Sequence, residues 1–179
     1  MQLDNFKKTL EEFRDKVVEE SKKNLRKEGK GGGALENDLK GGEVKVTDRS
    51  LQFEIEMPYY GVFQDKGVSG VEKKYKTPYS YKRKGGANSL KGMPPPSKLD
   101  KWTVKKGIAP RDEKGRFLSR KSLQFAIARS IFYNGIRPSL FFTKPFLKYS
   151  KELPNELEQA FALDAEAFLE FTTKQQLNG

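Results

Sequence analysis

Three charged residues around the start of a predicted strand are the first candidates for catalytic chemistry. Asp38, Glu43 and Lys45 give an acid, a short gap and then a Glu-Val-Lys triplet. Metal-dependent nucleases hold Mg²⁺ with carboxylates carried on strands. However, a third of all residues are charged, so such a triplet arises easily by chance, and the Gly41-Gly42 pair leaves Asp38 poorly positioned. The pattern therefore does not favour a metal site.

Histidine and cysteine, which carry much of enzyme chemistry, are both absent from the chain. Without histidine there is no Ser-His-Asp triad, no histidine-based zinc site and no imidazole general base. Without cysteine there is neither a thiol nucleophile nor a disulfide. We therefore expect a protein that is not an enzyme, with no catalytic residues, no cofactor and no bound metal.

Positive charge is concentrated in the middle third of the sequence. Residues 66–121 contain seventeen Lys or Arg and four acids, a net charge of +13, whereas the whole chain carries +11. An excess of this size favours an anionic partner, either DNA or an acidic protein surface, over an ordinary solvated surface. The candidate residues for this contact are Lys73, Lys74, Lys76, Lys82, Arg83, Lys84, Lys105 and Lys106.

Residues 71–98 combine these lysines with tyrosine, glycine and proline and show neither helical nor strand periodicity. Tyr75, Tyr79 and Tyr81 fit two roles: they could stack on the bases of a single strand, or they could anchor a protein interface, where tyrosine is enriched. No RNA-recognition, helix-turn-helix or zinc-finger pattern accompanies them. We expect this segment to be an arm held on neighbouring protein.

The N-terminal third predicts a helix packed on a hairpin. Residues 2–27 repeat apolar side chains at spacings of three and four, which is typical of an amphipathic helix; a coiled coil is the alternative, although the stretch is under four heptads. Residues 43–47 and 51–57 alternate apolar and polar side chains on either side of a turn, and Pro58 ends the second run. One apolar face predicts an antiparallel sheet covered by the helix.

The rest of the chain predicts short helices and a helical tail. Residues 97–106 form a short helix with Ser97 as its N-cap. The run Pro94-Pro95-Pro96 before it is either a stiff lead-in or a ligand for a proline-reading domain. Residues 122–134 form a helix that ends at Asn-Gly.

The helical tail, residues 143–174, is interrupted at Pro154 because proline lacks the backbone donor. Its carboxylates between residues 152 and 170 are spaced as solvent-facing positions. The predicted fold class is therefore α+β: a long N-terminal amphipathic helix on a small antiparallel sheet, an irregular basic arm, and two or three C-terminal helices. The chain is expected to be a single domain, residues 1–179, with residues 66–118 as the arm or an insertion.

Four motifs in a fixed order resemble those of a known family. The first helix and the hairpin are followed by "YYGVFQDKGVSG", then "TPYSYKRKGG", "MPPPSKLDKWTVKKGI" and "LQFAIARSIFYNGIRPSLFFTKPF". This order resembles the bacteriophage neck and tail-completion proteins, a family of head–tail connectors and tail components. Each motif is loose, and their order from residue 3 to residue 170 carries the weight. The family's core is shorter, so residues 66–118 look like an elaboration.

The resemblance implies a small α+β virion structural protein that forms a ring between head and tail and lines the DNA passage. Its expected partners are further copies of itself in a cyclic homo-oligomer, expected to be a hexamer, neighbouring connector or portal and tail-tube or tail-terminator proteins, and double-stranded DNA in transit. The expected location is the virion, after synthesis in the host cytoplasm. The alternative function is a DNA-binding accessory protein that uses residues 66–121.

Two further expectations concern membranes and subunit contacts. The sequence has no apolar run near eighteen residues and no signal-peptide pattern at its N-terminus, so no membrane partner is expected. Aromatic residues and prolines in the motifs are the candidates for the subunit interface. They are Tyr59, Tyr60, Phe63, Tyr75, Tyr79, Tyr81, Pro94, Pro95, Pro96, Trp102, Phe141, Phe142 and Phe146.

Overall fold

The computed structural model describes residues 3–47, 50–109, 111, 113–117 and 119–177, and the predicted α+β class is confirmed. In chain order the elements are α1 (Asp4–Lys27), α2 (Ala34–Asp38), β1 (Lys40–Thr47), β2 (Ser50–Glu56), α3 (Tyr60–Lys66), β3 (Val68–Ser69), a 3₁₀ helix (Pro96–Leu99), α4 (Asp100–Lys105), α5 (Arg120–Asn134), β4 (Gly135–Ile136), α6 (Thr143–Tyr149) and α7 (Leu153–Leu177).

The chain groups into two compact units. We call Met1–Gly61 together with Leu140–Gly179 the helical unit, and Val62–Ser139 the basic unit. The predicted arm, residues 66–118, lies within the basic unit, where it is grouped with α5 and β4.

Helix α1 organises the helical unit, and its predicted apolar face is buried. Leu10, Phe13, Val17 and Leu25 are all buried, and α1 packs against β1, β2, α6 and α7. These positions recur every three or four residues, so they share one face of the helix and leave water together. The amphipathic pattern therefore placed the core of this unit correctly.

The predicted hairpin is present as an antiparallel pair, β1 and β2, with Val44 opposite Phe53. The ring of Phe13 meets Phe53 edge-on, with ring centroids 5.4 Å apart, so α1 covers one face of the sheet as expected. The register shifts between Gly41 and Val44, which marks a bulge. The predicted turn residues Asp48 and Arg49 lie outside the described residues.

The glycine-rich connection after α1 contains a short helix, α2, that is held by one carboxylate. Glu36 accepts a hydrogen bond from the Gly32 backbone N–H at 2.6 Å and another from the Arg26 guanidinium. The Gly32 hydrogen bond, helped by Arg26, lowers the pKa of Glu36 below its usual value. The glycine-rich connection is thus pinned to the C-terminal end of α1.

Helix α7 runs antiparallel to α1 and caps it. Asp164 is buried and accepts hydrogen bonds from the backbone N–H groups of Asn5 and Phe6, each at 3.0 Å, and from the Asn5 amide at 2.8 Å. The expectation that all carboxylates of this helix face solvent is therefore wrong at Asp164. The predicted interruption of the tail is present just before Pro154, because α6 ends at Tyr149 and α7 begins at Leu153. Pro154 lies in the first turn of α7, where its missing donor costs no intrahelical bond.

The basic unit is built from short elements. Its two-residue strands β3 and β4 pair antiparallel, and the 3₁₀ helix and α4 pack on α5. The N-cap position of the 3₁₀ helix is Pro95, not Ser97, which lies inside it. In α5 the buried positions are Gln124, Ala128 and Phe132, whereas Ala126 is exposed.

No helix in the described part of the chain is both long enough and apolar enough to cross a membrane.

Candidate functional site

The three residues considered for metal chemistry do not converge on one point. Lys45 and Glu43 form an exposed ion pair at 2.9 Å, and the Glu43 hydrogen bond raises the pKa of Lys45. A lysine that acts as a general base needs a lowered pKa. Asp38 is exposed at the end of α2. Among the described residues, no group of three or more Asp, Glu, His or Cys is placed to hold a metal ion.

The irregular basic segment is anchored within its own unit by backbone hydrogen bonds. The N–H of Val71 donates to the Phe132 carbonyl, and those of Glu72 and Lys73 donate to the Tyr133 carbonyl, at 2.9–3.1 Å. These carbonyls lie in the last turn of α5, where carbonyl groups have no N–H donor within the helix. The segment therefore closes the C-terminal end of α5.

Ser69 is the second anchor of this segment. Its hydroxyl donates to the Tyr75 carbonyl and accepts from the Tyr75 backbone N–H. Its backbone pairs with the Tyr79 carbonyl and the Tyr81 N–H at 2.9 and 2.8 Å. One buried serine at the end of β3 thus holds the chain at Tyr75, Tyr79 and Tyr81.

Two of the candidate tyrosine rings pack on phenylalanines of the same unit. Tyr79 meets Phe63 edge-on at 4.7 Å between ring centroids, and Tyr81 meets Phe132 at 6.3 Å. Burial raises the pKa of Tyr81. Tyr75 is half-buried. The tyrosines that were expected to anchor on a neighbour have partners inside the basic unit, and their contact with another subunit stays a prediction.

The cations of the segment line an open groove. Lys74, Lys82 and Arg83 border it together with Val71, Ser80, Tyr81 and Ala87, and none of these lining residues is acidic. Lys74 also donates to the Gly70 carbonyl at 2.8 Å, which leaves its charge at the surface. The guanidinium groups of Arg83 and Arg129 each lie 5.5 Å from the centroid of the Tyr133 ring, within the range of a cation–π contact.

The other cations predicted to meet an anion are exposed but spread more widely. Lys73 lies 5.7 Å from the Tyr75 ring, and the Lys84 backbone bridges to Lys91. Lys76 is exposed, and Lys105 and Lys106 lie at the end of α4. The structure therefore brings part of the predicted set together in the groove and places the α4 lysines in a different segment.

The interface candidates divide by exposure. Tyr59 is 79% exposed and Tyr60 is 49% exposed, and Trp102 is 45% exposed on α4. Pro94 and Pro96 are half-buried, whereas Pro95 is exposed. Trp102 is therefore not a core residue of the basic unit, and its contact with another subunit stays a prediction.

The phenylalanines near α6 mostly serve the core. Phe141 is 1% exposed and belongs to the core of the helical unit, and Phe142 packs against that core. Phe146 stacks on Phe142 at 5.8 Å and meets Phe13 edge-on at 5.9 Å. Leu147 is 55% exposed. Of this cluster, the exposed side chain is the leucine.

Sequence reasoning missed the exposed surface of α7. Phe161 and Phe168 are 50% and 45% exposed, while the buried positions of α7 are Ala160 and Asp164. Leu169 and Phe171 are exposed as well. Apolar periodicity alone predicts that the aromatic side chains are buried. The packed face instead contains an aspartate, which that pattern does not predict to be buried.

Comparison of the chain with protein-family models, with curated protein sequences and with solved structures finds no match.

Proposed function

We propose that this chain is a structural subunit of a bacteriophage neck, of the tail-completion class. In this proposal it resides in the virion and forms a homo-oligomeric ring that joins the head to the tail and lines the DNA passage. The order of motifs along the sequence and the α+β architecture with a long first helix support it. The chemistry that the sequence lacks, histidine and cysteine, is not required for such a role.

The observation that carries the proposal is the exposed apolar surface at the C-terminal end of α7. Phe168, Leu169 and Phe171 are 45–64% exposed within four residues, and Phe161 is exposed two turns earlier. Contiguous apolar surface of this kind marks a site of protein association in a soluble protein. A subunit that functions only when packed among other subunits accounts for it directly.

The expected neighbours follow from position in a neck. Copies of the chain form the ring, a connector or portal protein lies on the head side, and a tail-tube or tail-terminator protein lies on the tail side. The basic unit, with nineteen Lys or Arg and five acids, suits a surface that double-stranded DNA passes. Contacts with passing DNA must be weak, and exposed lysines that share no base-reading fold meet that requirement.

Light scattering after size-exclusion chromatography, followed by electron microscopy of negatively stained particles, tests the proposal. The full chain should self-associate weakly alone and form closed rings when portal and tail components are added. Head-to-tail contacts close into rings when the rotation between copies allows it. A chain that remains strictly monomeric with those components present contradicts the proposal.

A DNA-binding accessory protein is the second candidate, and the basic groove favours it. Lys74, Lys82 and Arg83 border the groove with no acid among its lining residues, and Tyr133 supports Arg83. If the groove together with the other lysines of residues 66–121 neutralises six or more phosphates, affinity for duplex DNA should fall on the order of a thousandfold between about 50 and 200 mM salt. Gel shifts with the triple variant Lys82→Ala/Arg83→Ala/Lys84→Ala measure this. Loss of DNA binding with ring assembly intact separates the two functions.

A further inference from the structure

One ridge of α5 carries aromatic and basic side chains together. Phe125, Arg129 and Tyr133 follow one another at intervals of four residues, so they lie within a sector of about 80° on the helix. All three line one open groove, which we call the α5 groove. Phe125 is 43% exposed and Arg129 is exposed as well, so this ridge is accessible to a ligand.

A second arginine reaches this ridge from the irregular segment. The guanidinium groups of Arg83 and Arg129 each lie 5.5 Å from the centroid of the Tyr133 ring, so they are at most twice that distance apart. We call Phe125, Arg129, Tyr133 and Arg83 the arginine–aromatic row. Neither arginine forms an ion pair with an acid in the described part of the chain. Both positive charges are therefore available to an anionic ligand.

The arginine–aromatic row joins the α5 groove to the basic groove described above. Arg83 borders the basic groove with Lys74 and Lys82, and Tyr133 borders the α5 groove, so the two grooves meet where Arg83 contacts Tyr133. Together their linings hold four Lys or Arg and one acid, Glu72. This path gives a polyanion more length than either groove alone.

We infer that the arginine–aromatic row binds single-stranded nucleic acid, with phosphates on the two arginines and a base stacked on Phe125. Basic grooves with exposed aromatic rings bind single strands in this way. The inference goes beyond the proposed function, in which DNA passes as a duplex, and it does not depend on ring assembly.

The exposed ring favours a single strand over the other anionic partners. In a duplex the bases stack on one another, so Phe125 has no free base face to meet. A protein interface has an apolar core of several side chains. Within the row, Phe125 alone is a large exposed apolar residue. One ring beside several cations suits a base and its neighbouring phosphates.

Fluorescence anisotropy of the full chain with labelled oligothymidylate tests the stacked base. The strand is about twelve nucleotides long, within the usual site size of one small domain. An abasic strand of the same length carries the same phosphates without bases, and the wild type should bind it more weakly. Phe125→Ala should lower affinity for oligothymidylate about five- to a hundredfold and leave affinity for the abasic strand unchanged. Equal binding of the two strands by the wild type overturns the inference.

Phe117→Ala is the matched control for the stacked base. Phe117 is 66% exposed in the same unit, and Arg111 lies 3.9 Å from the centroid of its ring, but Phe117 lines neither groove. Both rings are exposed, so both variants should fold with an unchanged circular dichroism spectrum. Phe117→Ala should bind oligothymidylate as the wild type does. A loss equal to that of Phe125→Ala contradicts the inference, because any exposed ring beside an arginine would then serve.

The salt dependence of binding tests the two arginines. For a single strand, the logarithm of the binding constant falls by about 0.7 per neutralised phosphate for each tenfold rise in salt. Arg83→Ala/Arg129→Ala should therefore reduce this slope by about 1.4, and Arg83→Lys/Arg129→Lys, which keeps both charges, should retain it. Lys105→Ala/Lys106→Ala removes two charges at the end of α4 and should leave the slope unchanged. An unchanged slope for Arg83→Ala/Arg129→Ala overturns the inference.

Competition at equal charge separates the classes of ligand. Duplex DNA and polyglutamate, each at the same concentration of negative charge, should displace the labelled strand less effectively than unlabelled oligothymidylate does. If either polymer is as effective as oligothymidylate, the row is a site for that class of partner and the inference is wrong. Ring assembly with portal and tail components is measured separately, so these outcomes leave the proposed function unaffected.

Discussion

The two units of this chain differ in charge and in what holds them together. The helical unit carries sixteen Lys or Arg against nineteen acids, a net charge of −3, whereas the basic unit carries +14. The helical unit buries a row of apolar side chains along α1. The basic unit, across residues 67–92, relies on backbone hydrogen bonds to the end of α5 and to Ser69.

This contrast shows how a strongly charged segment can be ordered without a large apolar core. Fourteen excess positive charges repel one another in the compact state. Backbone hydrogen bonds do not depend on side-chain hydrophobicity, so they fix the chain while its lysines stay in water. The two units should therefore respond to different substitutions. The helical unit should lose stability when a buried aromatic side chain is truncated, and the basic unit should lose stability when a close backbone approach is blocked.

Separate probes can follow the two units. Helices α1 and α7, the two longest, lie in the helical unit and dominate the circular dichroism signal. Trp102 is the single tryptophan and lies in the basic unit. Fluorescence therefore reports mainly on the basic unit, and circular dichroism mainly on the helical unit.

The largest effect is expected from Phe13→Ala in the helical unit. Phe13 is 1% exposed and packs edge-on against Phe53 and Phe146, so truncation removes contacts with both the sheet and α6. The free energy of unfolding should fall by about 3–5 kcal/mol. Urea denaturation followed by circular dichroism measures it.

Phe161→Ala is the matched control for this prediction. It removes the same atoms from a half-exposed position on α7, so the free energy of unfolding should change by less than about 0.5 kcal/mol. Equal losses for Phe13→Ala and Phe161→Ala would mean that the exposed surface of α7 contributes to folding as much as the buried core of the helical unit does.

Gly70→Ala tests the backbone packing of the basic unit. A Cβ at Gly70 overlaps the Tyr133 carbonyl, so the segment must move away from the end of α5. The cost should be about 1–3 kcal/mol, the usual range for overpacking. The control is Gly86→Ala, because a Cβ at Gly86 meets no atom within 4 Å. Tryptophan fluorescence in urea should shift its midpoint for the first variant only.

The parts of the fold that the sequence predicted are those with a local periodic signal. The apolar repeat of α1 and the alternation in β1 and β2 each depend on neighbours a few residues away, so burial follows from the pattern itself. The anchoring of residues 71–73 depends on carbonyls of Phe132 and Tyr133, about sixty residues later, and involves no side chain. Nothing in the composition of that segment indicates those bonds.

For the candidate surfaces, the sequence predicted which residue types take part better than it predicted how they are arranged. Lysines and tyrosines of residues 71–98 were recognised, but the pairing of Tyr79 with Phe63 and of Arg83 with Tyr133 requires distant elements. On α5, buried Gln124 broke the apolar pattern because its amide donates to Asp100. On α7, buried Asp164 did the same. A polar group with a specific partner is therefore what misled the periodicity argument in both helices.

Asp164→Ala should destabilise the helical unit by about 1–2 kcal/mol, the cost of losing a helix N-cap. The carboxylate accepts from two backbone N–H groups at the start of α1, and without it Asn5 and Phe6 lose their partner. Glu166→Ala, on the exposed side of the same helix, is the control. Urea unfolding followed by circular dichroism compares the midpoints of the two variants. Equal midpoints would show that Asp164 does not stabilise the packing of α7 on α1.

The smallest effect concerns pH and is confined to the helical unit. The Gly32 N–H and Arg26 lower the pKa of Glu36 in the folded chain, whereas the pKa of a glutamate in an unfolded chain is about 4.3. The group therefore contributes stability above the unfolded pKa, and that contribution is lost as the pH falls through the folded pKa. Wild type should be more stable than Glu36→Gln at pH 7, and the gap should narrow below about pH 4. The matched control is Glu12→Gln, at an exposed position of α1. Its difference from wild type in the free energy of unfolding should stay constant with pH.

Unfolding followed by circular dichroism from pH 3 to pH 7 measures both variants. If the difference between Glu36→Gln and wild type is also constant with pH, this carboxylate does not pin α2 to α1.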